Sequence, residues 1–539
     1  MDMTSKSLLK NHYIKTNMCR CIEKRFVSDL FAIGRGGSLI PEFDHENEYI
    51  LDEYQRVIIA VGANIGDRFD NLMKGIDMLK ETKCSDLSYN TGYKDEITPL
   101  IRIIRTSYLR ETAPMYVTDQ PSFLNGAVEI ETKLSPLALL RRLKNVESQI
   151  GRDLNGKRNG PRLIDLDIIY FGIRKQGNEN IHGGIIVQSD ELEVPHPRIA
   201  EREFVLSPLC DIDKNIIHPL IEISTKAMLE LLNEPIKNSI PEDNQSNAVQ
   251  VLPLPRGRMI SFNETHIMGI LNVTPDSFSD GGKYHDTVDL AANRALQMVL
   301  EGASIIDIGG ESTRPGAEEM SIDVEIERTI PVIKKIREVS DIPISIDTRH
   351  SEVAKAAVIA GADIVNDVSG GTHDPLMLKT VKELRVPIIL MHMRGNPKTM
   401  QQLAQYDDVV GEVSSSLLDL SKKAEEAGIP RWMQVLDPGI GFAKNMEHNL
   451  SLLQQNARMR GLINECPLLL GPSRKRFIGE ITGEEVAENR DFGTLAACLF
   501  GLLQNENGKI RPTILRVHNV KGIKHGVQVY EAILRANKK

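Results

Sequence analysis

The chain has 539 residues, too many for a single hydrophobic core, and its 41% hydrophobic and 26% charged composition is that of an ordinary globular protein. A net charge of −9 excludes a general nucleic-acid or membrane-surface binder, and no apolar run reaches the roughly 20 residues needed to span a bilayer. The six cysteines (Cys19, Cys21, Cys84, Cys210, Cys466, Cys498) lack metal-ligand spacing and imply a reducing compartment, not a disulfide framework.

Residues 1–50 form an N-terminal extension. Lys6, Lys10, Lys15, Arg20, Lys24, Arg25 and Arg35 make it basic, and it has no secretory apolar core. That is the composition of a transit segment, against which stand Asp2, Glu23 and Asp29, so mitochondrial matrix and cytoplasm are both expected compartments. The roughly 55 residues before Arg56 are too few for a further enzyme domain.

Residues 51–233 form the first expected domain. A buried strand over 57–61 ends at GAN (62–64), and apolar spacing predicts a helix over 70–80. Strands follow over 105–110 and 123–130, then an amphipathic helix over 137–149 and a strand over 163–171. The order β-α-β-β-α-β predicts a ferredoxin-like α+β unit. An insertion around 88–103 precedes the second strand and is assigned no role. A polar stretch with Pro235 and Pro241, 234–250, reads as a linker.

Over 251–539 apolar runs of strand length alternate with helical stretches eight times, at 267–271, 304–308, 344–347, 363–366, 387–391, 434–437, 468–471 and 514–518. That is the rhythm of an α/β TIM (β/α)8 barrel. Polar residues gather where these strands end, among them Asn272, Asp307, Asp347, Asn366, His392, Asp437 and His518, and a barrel carries its active site on that rim. His392, flanked by methionines, reads as a core histidine, and Trp432 as packing.

In GPRLIDLD (160–167), Asp165 and Asp167 are two apart on a strand, so both face one side. Two carboxylates with Arg162 three residues earlier make a seat for Mg2+ and a nucleotide triphosphate. With GAN, TDQPSFLN (118–125) and VPH (194–196), this region, about 56–220, resembles 6-hydroxymethyl-7,8-dihydropterin pyrophosphokinase. The resemblance implies displacement at the β-phosphorus of ATP by the pterin hydroxymethyl oxygen, governed by positioning and charge neutralisation. It implies two Mg2+ on Asp165 and Asp167. ATP contacts fall to Arg152, Arg158, Arg162, His196 and Arg202, and the pterin pocket to Thr112, Phe123, Asn125 and Phe204. Where bacterial members carry a further Arg and a Trp, this chain has Leu154 and Asn159, with Lys157 as a substitute charge.

MGILNVTPDSFSDGG (268–282) is an apolar strand opening into a polar, glycine-ended loop. It is followed in order by IDIGGESTRPG, SIDT, NDVSGG, MHMRGNPKTMQ, LDPGIGFAKN, GPSRKRFIG and RVHNV. The set resembles dihydropteroate synthase over roughly 260–535. The resemblance implies that Asp437, with Asp347, Asn366 and Lys475, takes the pterin edge. Asn272, through one Mg2+, together with Thr313, Arg516 and His518 would hold the pyrophosphate. Phe278, Pro315 and Ser473 would bind p-aminobenzoate, and sulfonamides would act there. It also implies a homo-oligomer through the barrel, with small-molecule substrates only. A pterin-dependent methyltransferase barrel and a non-catalytic homologue are the alternatives; the first gives no reason for Arg516-Val517-His518, and the intact Asp165, Asp167, Asn272, Asp437 and Lys475 argue against the second.

Overall fold

A computed structural model describes residues 49–87, 98–115, 117–153, 159–176, 180–233, 248–273, 284–311, 320–396, 398–503 and 510–536. The described residues fall into two compact units, one within Met1–Ala248 and one within Val249–Lys539. No described helix is long and apolar enough to cross a membrane.

In the first unit, β1 (Ile50–Ala63) leads through Gly66 to α1 (Arg68–Lys80), which is capped by Asp67 accepting from the Asp70 N–H. The strand expected over 105–110 is two strands, β2 (Ile101–Thr106) and β3 (Leu109–Thr112), both paired with β4 (Phe123–Leu134). The break has a physical cause: the Tyr108 N–H leaves the sheet and donates to Asp211 Oδ2 at 3.0 Å. Helix α2 (Pro136–Ile150) is capped by Ser135, carries proline at its start and ends on left-handed Gly151. Strand β5 (Asp165–Phe171) completes the order β3-β4-β1-β5, all antiparallel, as in a ferredoxin-like sheet. Two helices not expected from the sequence, α3 (Glu203–Asp213) and α4 (Thr225–Asn233), pack on Tyr170 and Ile169.

The second unit begins with a hairpin, β6 (Val249–Pro253) and β7 (Met259–Ser261), so Val249 and Gln250 belong to a strand and not to the expected linker. Eight parallel strands then close a barrel: β8 (His266–Asn272), β9 (Ile305–Gly309), β10 (Ile344–Asp347), β11 (Ile364–Asp367), β12 (Ile388–Met391), β13 (Gln434–Asp437), β14 (Leu468–Leu470) and β15 (Thr513–Val517). Leu252, Leu254, Ile260 and Phe262 of the hairpin region pack on Met268, Ile305, Ile364, Ile389, Val435, Leu469 and Ile514, closing the floor of the barrel. Asp363, fully buried, clamps this end by accepting from Arg256 and Arg337 at 2.6 and 2.5 Å and from Arg258. Floor and rim are thus chemically distinct, and the polar residues expected at the strand ends lie on the rim.

Candidate active sites

The first site rests on the register of three strands. Gly62 of β1 is paired with Asn125 on one side and Asp165 on the other, and Ala60 with Asp167. Asp165 and Asp167 project from one face of β5 while Ile164, Leu166 and Ile168 are buried. A Cβ on Gly62 would lie 2.8 Å from Asn125 Oδ1, so only glycine leaves room for that amide, which donates to Thr112 Oγ1 at 2.8 Å. Thr112, Phe123, Asn125, Arg162, Asp165, Asp167, His196, Arg202 and Phe204 line one cavity. Arg152 joins them through Asp165.

The electrostatics divide the two carboxylates. Arg152 and Arg162 donate to opposite oxygens of Asp165, at 2.6 and 2.7 Å. Burial works to raise Asp165, but Arg152, Arg162 and Lys144 outweigh it and hold the group below the usual carboxylate range. Asp167 is pushed up by burial and by the neighbouring Asp165 charge. His196 is kept neutral, drawn down to about 4 by burial and by Arg202 and Arg198. The rim is fixed by Asn64, which accepts from the Arg162 N–H at 2.7 Å and donates to Gln120 Oε1 and the Pro121 carbonyl at 3.1 Å each. Among the described residues no cluster of three or more His, Cys, Asp or Glu forms a metal site. A pair of carboxylates on an open face still suits Mg2+, which takes one or two carboxylates and completes its shell with phosphate oxygens and water.

In the barrel, Asn272, Gly309, Asp347 and Asn366 form one rung across four adjacent strands. Asp307, fully buried, faces inward below that rung. Arg516 donates to Asp307 Oδ2 and Asp347 Oδ2 at 2.6 Å each, and Asn366 Nδ2 lies 3.2 Å from Asp307 Oδ2. Arg516, grouped with His518 in the sequence, is therefore bound among the residues expected for the pterin. Burial disfavours its charge, but Asp307 and Asp347 more than restore it. Asp347 is pushed up to about 7 by burial, with Arg516 opposing and Asp307 adding.

Asp437 is buried at the end of β13, where its Oδ1 accepts the Gly439 N–H at 2.7 Å. Burial pushes it up to about 6 against Gly439, Arg516, Lys475 and Lys444. Lys475 lies 4.0 Å above the Phe442 ring. His518 meets Ser473, with Ser473 Oγ 2.9 Å from His518 Nδ1. Arg158, Thr313, Phe278 and Pro315 lie outside the described residues.

Residues 58–214 match the family description 7,8-dihydro-6-hydroxymethylpterin-pyrophosphokinase, and residues 268–518 match that of pterin binding enzymes. The mitochondrial folate synthesis bifunctional protein of Arabidopsis thaliana is 41% identical over 499 residues, covering 89% of this chain and 83% of that one. The chain belongs to the bifunctional folate synthesis proteins. Its Pisum sativum relative, also named mitochondrial, is 41% identical over 508 residues, covering 90% of this chain and 91% of that one. The fold is shared with a solved Plasmodium falciparum HPPK-DHPS triple mutant with pteroate, at TM-score 0.66 and 24% identity, over 89% of this chain and 95% of that one.

A bifunctional folate synthesis protein catalyses two consecutive steps. It transfers pyrophosphate from ATP to 6-hydroxymethyl-7,8-dihydropterin, then condenses the product with p-aminobenzoate to 7,8-dihydropteroate and releases pyrophosphate. Two residues of these sites, Glu147 and Lys444, were not found by sequence reasoning, and a third, Asp307, was expected on the rim but without its partner Arg516. Glu147 lies fully buried under the Asp165–Asp167 strand, Asp307 anchors Arg516, and Lys444 sits against His392. For Lys444 the signal was a charge inside a largely apolar run, GIGFAKN. Glu147 on an amphipathic helix gave none.

Proposed function

We propose that the first cavity carries out the pyrophosphate transfer, with Asp165 and Asp167 holding two Mg2+. The observation that carries this is the placement of both carboxylates on one face beside Arg152 and Arg162, in the cavity that also holds Asn125 and Thr112. Mg2+ bound there neutralises phosphate oxygens. Arg152, Arg162 and Arg202 face the triphosphate, and Asn125 with Thr112 reads the pterin edge between Phe123 and Phe204. The hydroxymethyl oxygen then attacks the β-phosphorus, its proton is released, and AMP leaves.

In the barrel, Asp437, Asp347, Asn366 and Lys475 take the pterin, whose parallel N–H donors suit a buried carboxylate. Asn272, which can also hold one Mg2+ by its amide oxygen, faces the pyrophosphate together with Arg516 and His518, and Ser473 faces the p-aminobenzoate carboxylate. The pterin C–O bond breaks, pyrophosphate leaves with the electron pair, and the aromatic amine bonds to that carbon and loses a proton. The assay supplies hydroxymethyldihydropterin, ATP, Mg2+ and p-aminobenzoate. Asp167→Ala should be rescued by added pterin pyrophosphate and Asp437→Ala should not; rescue of both, or of neither, overturns the division of roles.

The barrel is also proposed to self-associate. Phe492 and Phe500 on the helix Asp491–Leu502, and Val529 and Ile533 on the helix Val520–Ala536, are 88%, 43%, 62% and 60% exposed. Such a patch favours a partner surface. Sedimentation should show an oligomer that Phe492→Glu dissociates. Mitochondrial matrix and cytoplasm stand as the two proposed compartments. Residues 1–48 lie outside the described residues, and the location of a reporter fused to residues 1–50 decides between the two.

A further inference from the structure

Lys444 is only 3% exposed, yet its ammonium meets two neutral acceptors, His392 Nδ1 at 3.0 Å and the Phe442 carbonyl at 2.9 Å. Among the described residues no carboxylate is within ion-pair distance of it. A buried ammonium without an ion-pair partner is costly, so a positive charge kept here has to serve a nearby negative one. The negative charge that acts on it is that of Asp437, which favours the Lys444 charge, as Lys444 favours that of Asp437.

The contacts of Lys444 surround Asp437. His392 follows β12, and its N–H donates to the Asp437 carbonyl at 2.9 Å. A Cβ on Gly439, at φ +67, would lie 2.1 Å from the His392 carbonyl oxygen, so the chain passes there without room for a side chain. Phe442, whose carbonyl Lys444 holds, carries Lys475 on its ring. An ammonium has only donors, so the His392 Nδ1 facing it is the bare nitrogen. His392 is accordingly neutral, drawn down to about 3 by burial and by Lys444 and Arg394.

We propose that Lys444 is a positioning residue of the synthase step: its buried ammonium ties the end of β12 to the loop after β13 and adds to Arg516 and Lys475 in keeping the Asp437 carboxylate ionised, with both oxygens able to accept from the pterin edge. The proposal rests on the reading that Asp437 takes that edge. Asp437 faces Arg516, Lys475 and Lys444, and Lys444 faces Asp437, Arg394, Lys475 and His392. Burial draws Lys444 down and pushes Asp437 up, and the charge of each opposes that shift in the other. Without Lys444, Asp437 takes up its proton at higher pH and loses one acceptor oxygen to that proton.

The test uses the full chain with Lys444→Met, Lys444→Gln, Lys444→Arg and Asp437→Asn. The synthase step is supplied with pterin pyrophosphate, the kinase step serves as internal control, and thermal unfolding checks the fold. Lys444→Met and Lys444→Gln should raise KM for the pterin ester about tenfold at pH 6.5 and move the acid limb of kcat/KM up by about one unit. Lys444→Arg should restore both, and the kinase step should be unchanged in all three. If Lys444→Met does not fold, Lys444→Gln carries the test. A folded Lys444→Gln with wild-type KM and pH profile, or a Lys444→Arg no better than Lys444→Gln, overturns the proposal. If Asp437→Asn still makes dihydropteroate, the reading of Asp437 falls and the proposal with it. If Asp437→Asn is inactive while Lys444→Gln behaves as wild type, the proposal alone falls.

Discussion

The backbone N–H of Leu166, between Asp165 and Asp167, donates to Oε1 of Glu147 at 2.7 Å. The same oxygen accepts from Lys144 at 2.9 Å, and Oε2 lies 2.7 Å from Arg152 Nη1, an ion contact and not an aligned hydrogen bond. Glu147 therefore holds the strand that presents both carboxylates and one of the arginines paired with Asp165. Glu147→Gln keeps an acceptor and removes the charge. The kinase step should fall about 10–100-fold, as for other groups that orient ligand residues. Dihydropteroate formation from supplied pterin pyrophosphate should be unaffected. Equal losses in both assays would mean general unfolding instead.

Gly62→Ala tests the pterin pocket without touching a polar group. The new methyl would sit 2.8 Å from Asn125 Oδ1, and Asn125 cannot retreat without leaving Thr112. Overpacking of this kind costs about 1–3 kcal/mol. The expected outcome is a KM for hydroxymethyldihydropterin raised about tenfold, with KM for ATP changed much less. A larger effect on ATP would place the amide elsewhere.

The carboxylates of the first site were legible because strand alternation is local: Asp165 and Asp167 alternate with Ile164, Leu166 and Ile168, and no distant partner is needed to see which face they share. The barrel rim was legible for the same reason, since polar residues stand where eight apolar runs stop. What escaped depends on pairs far apart in sequence. Glu147 meets Leu166 across 19 residues, Tyr108 meets Asp211 across 103, and Arg516 meets Asp307 across 209. Each carries an ordinary polar identity until the fold supplies its partner. Helix α3 was hidden differently, by Pro208 within its apolar periodicity.

Asp437 sets function against stability. Its folded value, about 6, lies above the ordinary 3.8, so folding favours the protonated acid. That contribution is fully present below the ordinary value and is lost as pH rises through about 6, a swing on the order of 2–3 kcal/mol. Asp437→Asn imitates the neutral acid. Its barrel should resist denaturant better than wild type at pH 8, lose the advantage near pH 4, and make no dihydropteroate. Trp432, the single tryptophan, is buried in the barrel, so its fluorescence follows this unit. Equal pH dependence in the two proteins would show that Asp437 ionises freely.

Ser473 and His518 act as a neutral pair. Burial, with Arg474, Arg516 and Lys475, presses His518 down to about 3, so the ring carries no charge at any pH where the enzyme works. It still engages Ser473 twice, through Nδ1 at 2.9 Å and through its backbone N–H, which donates to Ser473 Oγ at 3.2 Å. Ser473→Ala should raise KM for p-aminobenzoate and leave KM for the pterin ester nearly unchanged. His518→Gln should slow the synthase step by the same factor at pH 6 and pH 8, because no proton is gained or lost at that ring between them. A wild-type to variant ratio that changes about tenfold over this interval would mean that His518 titrates in the working range and binds pyrophosphate as a cation.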